Sequence, residues 1–224
     1  VFTETYQPPQ TDGSGNLRAN LRRAKQLLEE AGWQVVDNVL RNAETGQAME
    51  IEILFAQASW ERIAAPMVAN MERLGIEASI RIVDSSQYQN RVQDYDYDLI
   101  VAVRGQSHSP GNEQRNYWTS AAAAEQGGGN WAGISDPVVD ALVEKIITAP
   151  DRQELVAYTR ALDRVLLWGH YVIPHWYSES FRIVHWDKFG KPAQSAPYTG
   201  AYFVLPDTWW YDEERAARLE EQSN

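Results

Sequence analysis

Apolar residues recur along this chain with two periods, and the change from one to the other marks its elements. Leu17, Leu21, Ala24, Leu28 and Ala31 fall on one helical face, which Gly32 stops. Arginines come early in that segment and Glu29-Glu30 late, against the helix macrodipole, so tertiary packing is expected to hold it. Trp33 to Leu40, with Asp37-Asn38 and then Thr45-Gly46, predicts a small hairpin-like excursion. Ile51, Ile53 and Phe55 alternate with Glu52 and Leu54 as a first core strand. Ser59 is placed to cap a helix with Ile63, Met67, Met71 and Leu74 as its apolar stripe, ended by Gly75. Pro66 lies inside it at a cost of roughly 3 kcal/mol, which predicts a kink or restart.

Ala78, Ile80 and Ile82 form a second alternating strand, and a short helix spans 86–95. Leu99 to Val103 is continuously apolar, the pattern of a strand buried on both faces. Asp136-Pro137 opens a helix with Val139, Leu142, Val143 and Ile146 inward. Asp151 and Glu154 form a capping-box pattern before Leu155, Tyr158, Leu162 and Val165. Residues 171–186 predict a pair of strands around Tyr177–Ser180, with His175 and His185 on opposite strands, and an acidic helix starts from Asp212. The succession of strand and helix from Met49 to Trp118 predicts an α/β fold, a mixed open sheet with helices on both faces.

An open sheet of this kind holds ligands beyond the carboxyl ends of its strands. There the apolar run enters Arg104, Gln106, Ser107 and His108, followed by Asn112, Arg115, Asn116, Tyr117 and Trp118. Arginine grips carboxylates bidentately, amides pair with peptide groups, and aromatic faces pack on side chains. Tyr88 and Arg91, on the preceding short helix, are lesser candidates. No complete catalytic motif accompanies them, which favours gripping a ligand over transforming one.

Composition narrows the classes further. A net charge of -11 without a basic stripe argues against nucleic acid. The chain has no cysteine, which excludes thiol catalysis, disulfides and Cys-ligated metals. His108, His170, His175 and His185 have no metal-binding spacing, and Gly127–Gly129 lack the lysine of a phosphate loop. No cofactor is implied. Of the nine tryptophans, five cluster late, at Trp168, Trp176, Trp186, Trp209 and Trp210, and predict aromatic packing between layers. The N-terminal residues lack the basic-then-apolar pattern of a signal peptide, and the chain reads as a piece of a longer protein.

Two other readings arise, one from the same segment and one from the C-terminal region. Gly105-Gln106-Ser107-His108-Ser109 follows a strand as a nucleophile elbow does, which would make a serine hydrolase acting through Ser107. Ser109 stands where the elbow has its second glycine, and Pro110-Gly111 interrupts the helix that should follow. Alternatively, the acidic helix after Asp212 and the aromatic patch at Trp209-Trp210 would dock on a protein partner.

Several longer stretches carry a family likeness: Arg22 through Trp33, Leu74-Gly75-Ile76, Tyr97-Asp98-Leu99, Trp131 through Asp140, and Tyr171-Val172-Ile173-Pro174-His175. In this order the chain resembles the C-terminal part of a family 5 extracellular solute-binding protein, over about residues 16–190. Gly111 through Trp118, with Asp163 through Pro174, resembles the subgroup serving uptake of oligopeptides and the peptide-nucleotide microcin C. The resemblance implies one lobe of a type II periplasmic-binding-protein fold. Residues 1–16 would be the linker from a preceding lobe, 17–190 the α/β ligand-binding lobe, and 191–224 a tail returning toward the missing first lobe. It also implies a peptide or peptide-conjugate ligand, an inner-membrane ABC permease as partner, a monomer, and the periplasm of a Gram-negative bacterium. Many relatives have a Trp-x-x-Asp arrangement after this strand, whose aspartate pairs with a peptide amino terminus. Arg104 and Ser107 stand there instead, which would suit an acidic or carboxylate-bearing ligand.

Overall fold

Asp37 and Asn38 both take left-handed backbone, φ 52° and 67°, which Asp and Asn tolerate better than other side chains. They turn β1 (Trp33–Val36) back onto β2 (Val39–Asn42) as an antiparallel hairpin, with Val36 opposite Val39. This hairpin follows α1 (Arg18–Glu30), which ends as Gly32 adopts φ 85°. The computed structural model describes residues 4–175, 182–194 and 208–223. Of the predicted face of α1, Leu17, Leu21, Ala24 and Leu28 are half-buried and Ala31 is exposed, and no residue of the helix is fully buried. Exposed ion pairs on α1, Lys25–Glu29 at 3.8 Å and Arg23–Glu30 at 3.4 Å, add little.

Three parallel strands form the central sheet in the order β4-β3-β5: β3 (Glu50–Phe55), β4 (Glu77–Ile82) and β5 (Leu99–Ile100). β3 is the middle strand, and its second half, Ile53 to Phe55, is buried on both faces. Its Ile53 and Phe55 pack with Ala64, Trp60, Met67, Val68, Ile80, Leu99 and Val101, and the Phe55 and Trp60 rings stack at 6.5 Å. The Asp98 carboxylate accepts the Glu52 N–H at 2.8 Å, which sets β5 against β3 just before their ladder begins.

The structure corrects the expectation for 99–103. β5 has only two residues, both half-buried, and Val103 is 84% exposed. Among the described residues β5 has one neighbouring strand, β3, and an apolar run records no information about what covers it. The helix expected from Ser59 also differs. Ser59 lies in a 3-10 turn, Ala58–Trp60, and caps nothing; α2 (Glu61–Glu72) starts at Glu61 without a side-chain cap. α2 then runs unbroken through Pro66, with no restart there. Pro66 and Arg62, whose carbonyl loses its partner, are both on the exposed side, where water can satisfy that group.

α2 ends in a left-handed glycine, Gly75 with φ 84°, beneath the hairpin: its carbonyl accepts Leu40 N–H at 2.7 Å. A Cβ at Gly75 would lie 2.9 Å from Leu40 N and 3.2 Å from Asn38 O, both backbone atoms. Gly46 has φ 72° but open space around it. Gly75→Ala is therefore expected to cost about 2 kcal/mol and Gly46→Ala about 1 kcal/mol. Urea midpoints of the two variants check this; equal losses would show that the close approach is irrelevant.

Asp84 caps α3 (Ser85–Gln93) by accepting from Ser86 and Gln87 N–H at 2.9 and 3.0 Å. After β5 come α4 (Glu113–Trp118), α5 (Ser120–Ala123), α6 (Pro137–Ile147) and α7 (Arg152–Trp168). Asp136 accepts Val138 N–H at 2.7 Å, and Val139, Val143 and Ile146 of α6 are buried as their spacing predicts. Asp151 caps α7 through Glu154 N–H, while the Glu154 carboxylate goes to the Tyr158 hydroxyl. β6 (Phe189–Gly190) pairs with β7 (Trp210–Tyr211), and Asp212 caps α8 (Glu213–Ser223) through Arg215 N–H at 3.0 Å. Residues 176–181, the expected turn of a strand pair, lie outside the described residues. The flanks 171–175 and 182–186 are not strands, which corrects that expectation for the described part. Val172, Ile173 and Val184 stay exposed there, so apolar alternation had no sheet to join.

The chain divides into two compact units: Val1–Val103 with Arg115–Asp140, and Arg104–Gln114 with Ala141–Asn224.

Candidate functional site

In the order β4-β3-β5 the chain adds its second and third strands on opposite sides of its first. Such a reversal opens a crevice beyond the carboxyl ends of the two strands concerned, here β3 and β5. The chain leaves β5 at that end and runs into the predicted segment. The division into units falls inside this segment, after Gln114.

Within Arg104–Gln114, the structure gathers polar groups around one carboxylate. Gly111 N–H lies 3.0 Å from both oxygens of Glu113, and the side-chain amides of Gln106 and Gln114 each donate to its Oε1 at 3.2 Å. Gln114 also donates to Gln106 Oε1 at 2.9 Å and is only 3% exposed. Burial pushes the Glu113 carboxyl up, but the Gly111 amide, its own amide, Gln114 and Gln106 outweigh it, and the net shift is downward. Arg152 of α7 donates to the His108 carbonyl at 3.2 Å. Arg104 is half-buried; Ser107, His108 and Asn112 are exposed. Ser107 Oγ accepts from Ser109 N–H at 3.2 Å. The next helix starts only at Glu113, six residues on, so Ser107 lacks the strand–turn–helix setting of a nucleophile elbow.

The remaining candidates belong to the other unit. Arg115 is exposed; Asn116 Oδ1 accepts Gly129 N–H at 2.9 Å; and the Tyr117 and Trp118 rings meet edge to face at 6.2 Å. Tyr88 is half-buried, and burial pushes its phenol up. Arg91 is bound on two sides, to Asp96 at 2.7 Å and Glu52 at 2.8 Å, which hold its guanidinium more firmly charged. That places Arg91 as a brace between α3, β3 and the entry to β5.

A concavity of about 740 Å³ lies at the other end of the sheet, at the amino ends of β3 and β4, lined by Glu50, Glu52, Glu72, Glu77 and Asp98 among others. No group of three His, Cys, Asp or Glu side chains among the described residues could hold a metal ion. No helix among them is long and apolar enough to cross a membrane.

Three features escaped the sequence reading: Glu113 as the centre of a network, Gln114 as a buried amide, and Arg152 as a clamp on His108. The only signal for the first was an acidic residue in the first turn of a helix, which is common.

Residues 2–126 match the family profile described as bacterial extracellular solute-binding proteins, family 5 Middle. The chain is 49% identical over 210 residues to the uncharacterized protein y4wM of Sinorhizobium fredii, covering 94% of this chain and 31% of that protein. It is 45% identical over 210 residues to the probable peptide-binding protein YejA of Agrobacterium fabrum, covering 94% and 34%. In structure it resembles the oligopeptide-binding protein AppA of Bacillus subtilis, solved with a nonapeptide, at TM-score 0.60, 22% identity, 67% of this chain and 30% of that one. A likeness at that identity shows the fold, that of the type II periplasmic-binding proteins. The chain spans about a third of the length of the relatives it matches.

Proposed function

The chain belongs to the bacterial extracellular solute-binding proteins of family 5, and on that premise we propose that it is the ligand-binding lobe of a peptide-capturing component of an ABC importer. Its ligand is a peptide or peptide conjugate, its site of action the periplasm of a Gram-negative bacterium, and its partner an inner-membrane permease. The rest of the polypeptide supplies the opposing wall, and the whole works as a monomer. Residues 17–190 form this lobe; 1–16 lead into it and 191–224 return toward the first lobe.

One observation carries the reading: the strand order β4-β3-β5 opens its crevice at the end from which the chain enters Arg104–Gln114. The acidic concavity at the opposite end does not compete, because its carboxylates would repel a ligand that Arg104 suits. Arg104, Gln106, Ser107, His108 and Asn112 supply hydrogen bonds and one fixed positive charge. Arg115, Asn116, Tyr117 and Trp118 supply a second charge and aromatic faces, with Tyr88 on α3. Arg91 contributes by holding α3 in place.

Mass spectrometry of small molecules released from the full-length protein, purified from its native host, tests the ligand class. Peptides or peptide conjugates support the reading; sugars or metal chelates alone overturn it. Calorimetry adds a second check, because this chain by itself lacks half of the enclosing surface. Equal affinity for the chain and the full-length protein would contradict the two-lobe picture. Arg104→Gln in the full-length protein is expected to weaken binding of a carboxylate-bearing peptide about tenfold, the lower range for a lost charge-assisted hydrogen bond. Unchanged affinity would remove Arg104 from the site.

A further inference from the structure

We propose that Glu113 is the positioning residue of the ligand-reading segment, its carboxylate gathering Gly111, Gln106 and Gln114 so that Arg104–Gln114 is shaped before a ligand arrives. The inference rests on the peptide-binding reading above and deepens it.

Three features make Glu113 more than one polar residue among many. First, it receives donors from three other residues, one from a backbone amide and two from side chains, within a segment that has no regular structure before α4. An ionised carboxylate is an acceptor on every face, so it can satisfy all three at once. A glutamine would turn an NH2 group toward at least one donor. Second, the network closes on itself: Gln114 bridges Glu113 and Gln106, and its burial leaves its amide no recourse to water. Third, the segment is held at a second point, where Arg152 takes the His108 carbonyl. The carboxylate fixes both ends of the loop and the guanidinium its middle. Ser107, His108 and Asn112 then hang from a backbone whose ordering cost is met by the fold rather than by the ligand.

The sign of the pH dependence follows from the charge. The folded segment prefers the ionised form, so its order is complete above the ordinary glutamate value. It is lost as pH falls through the depressed value of Glu113.

The test uses the full-length protein, wild type and Glu113→Gln, with an equimolar pool of synthetic pentapeptides as probe. In the ligand-free wild type the Gly111 amide resonance should titrate below the ordinary glutamate range, and in Glu113→Gln it should not. Amide exchange across 104–114, corrected for intrinsic rates, should be at least about tenfold faster in the variant, as expected when a charged hydrogen bond is lost. Affinity for the pool should fall by about the same factor, with the unfolding midpoint little changed. Gln106→Ala, at an exposed position, removes one donor and should move exchange the same way by less.

Unchanged exchange in both variants, or a Gly111 resonance that does not titrate, overturns the proposal. So does faster exchange with unchanged affinity, because the ordering would then serve stability alone. If the wild type ignores the pool, the peptide reading fails, and exchange and titration still decide whether Glu113 shapes the segment.

Discussion

Truncating Leu54 to alanine is expected to remove about 2–5 kcal/mol of stability. Leu54 is fully buried in the middle strand β3, between Arg81 of β4 and Ile100 of β5. The loss has two parts. The deleted methyl groups forfeit their transfer free energy, and the surrounding backbone cannot close the space because ladders on both sides hold it. A position past the end of β5 offers a comparison: Val103→Ala, at a residue 84% exposed, should stay within about 0.5 kcal/mol. Urea denaturation followed by tryptophan fluorescence measures both. A Leu54→Ala loss below about 1 kcal/mol would show that the centre of the sheet is not the core.

Asn130→Ala is expected to cost about 2–4 kcal/mol through polar groups rather than volume. Asn130 is fully buried, donates to Thr119 O at 3.0 Å and Ile134 O at 2.8 Å, and accepts Ile134 N–H at 3.0 Å. Its removal strands the Ile134 amide and the Ile134 carbonyl out of reach of bulk water, while Thr119 O keeps the Ala123 N–H at 3.1 Å. The neighbouring loop is tied independently, by Tyr97 Oη to Trp131 O at 2.7 Å and by Ser120, which donates twice to Asp140 at 2.7 and 2.8 Å. The unit should therefore weaken without losing its fold. Asn130→Asp discriminates the mechanism: the carboxylate still accepts Ile134 N–H but faces two carbonyls with no donor. It should be at least as damaging as alanine at neutral pH, and partly relieved in acid as the group protonates. Thermal midpoints at two pH values decide this, and an aspartate variant as stable as wild type would refute the hydrogen-bond account.

The elements that were legible in the sequence share one property: their determinants are local. Asp37-Asn38 announced a hairpin because two adjacent residues had to accept left-handed backbone. Asp136-Pro137 and Asp151 announced helix starts because a cap acts on N–H groups two or three residues away. The spacing of Val139, Val143 and Ile146 marked an inward face because 3.6 residues per turn is a property of the helix alone. The family likeness was legible too, since it rests on segments read in order along the chain.

The restart expected at Pro66 and the buried strand expected at 99–103 failed for the opposite reason. Whether a proline breaks a helix depends on whether water reaches the carbonyl it strands, and whether an apolar run is covered depends on which strands flank it. The site divides along the same line. Arg104 and its polar neighbours stood out as residue types at a strand end. That Glu113 would collect Gly111, Gln106 and Gln114, or that Arg152 would reach His108 from 44 residues away, had no counterpart in spacing or composition.

Taken alone, then, the order of residues determined the longer helices, the hairpin, the α/β class and the family, but not the short α4 and α5. Tertiary structure decided that β3 rather than β5 is the centre of the sheet, and which carboxylate organises the loop beyond it. Periodicity and capping are written within one or two turns of chain. Burial and hydrogen-bond partnership are set by whatever other segments arrive, and the free energy of those meetings belongs to no single stretch of sequence.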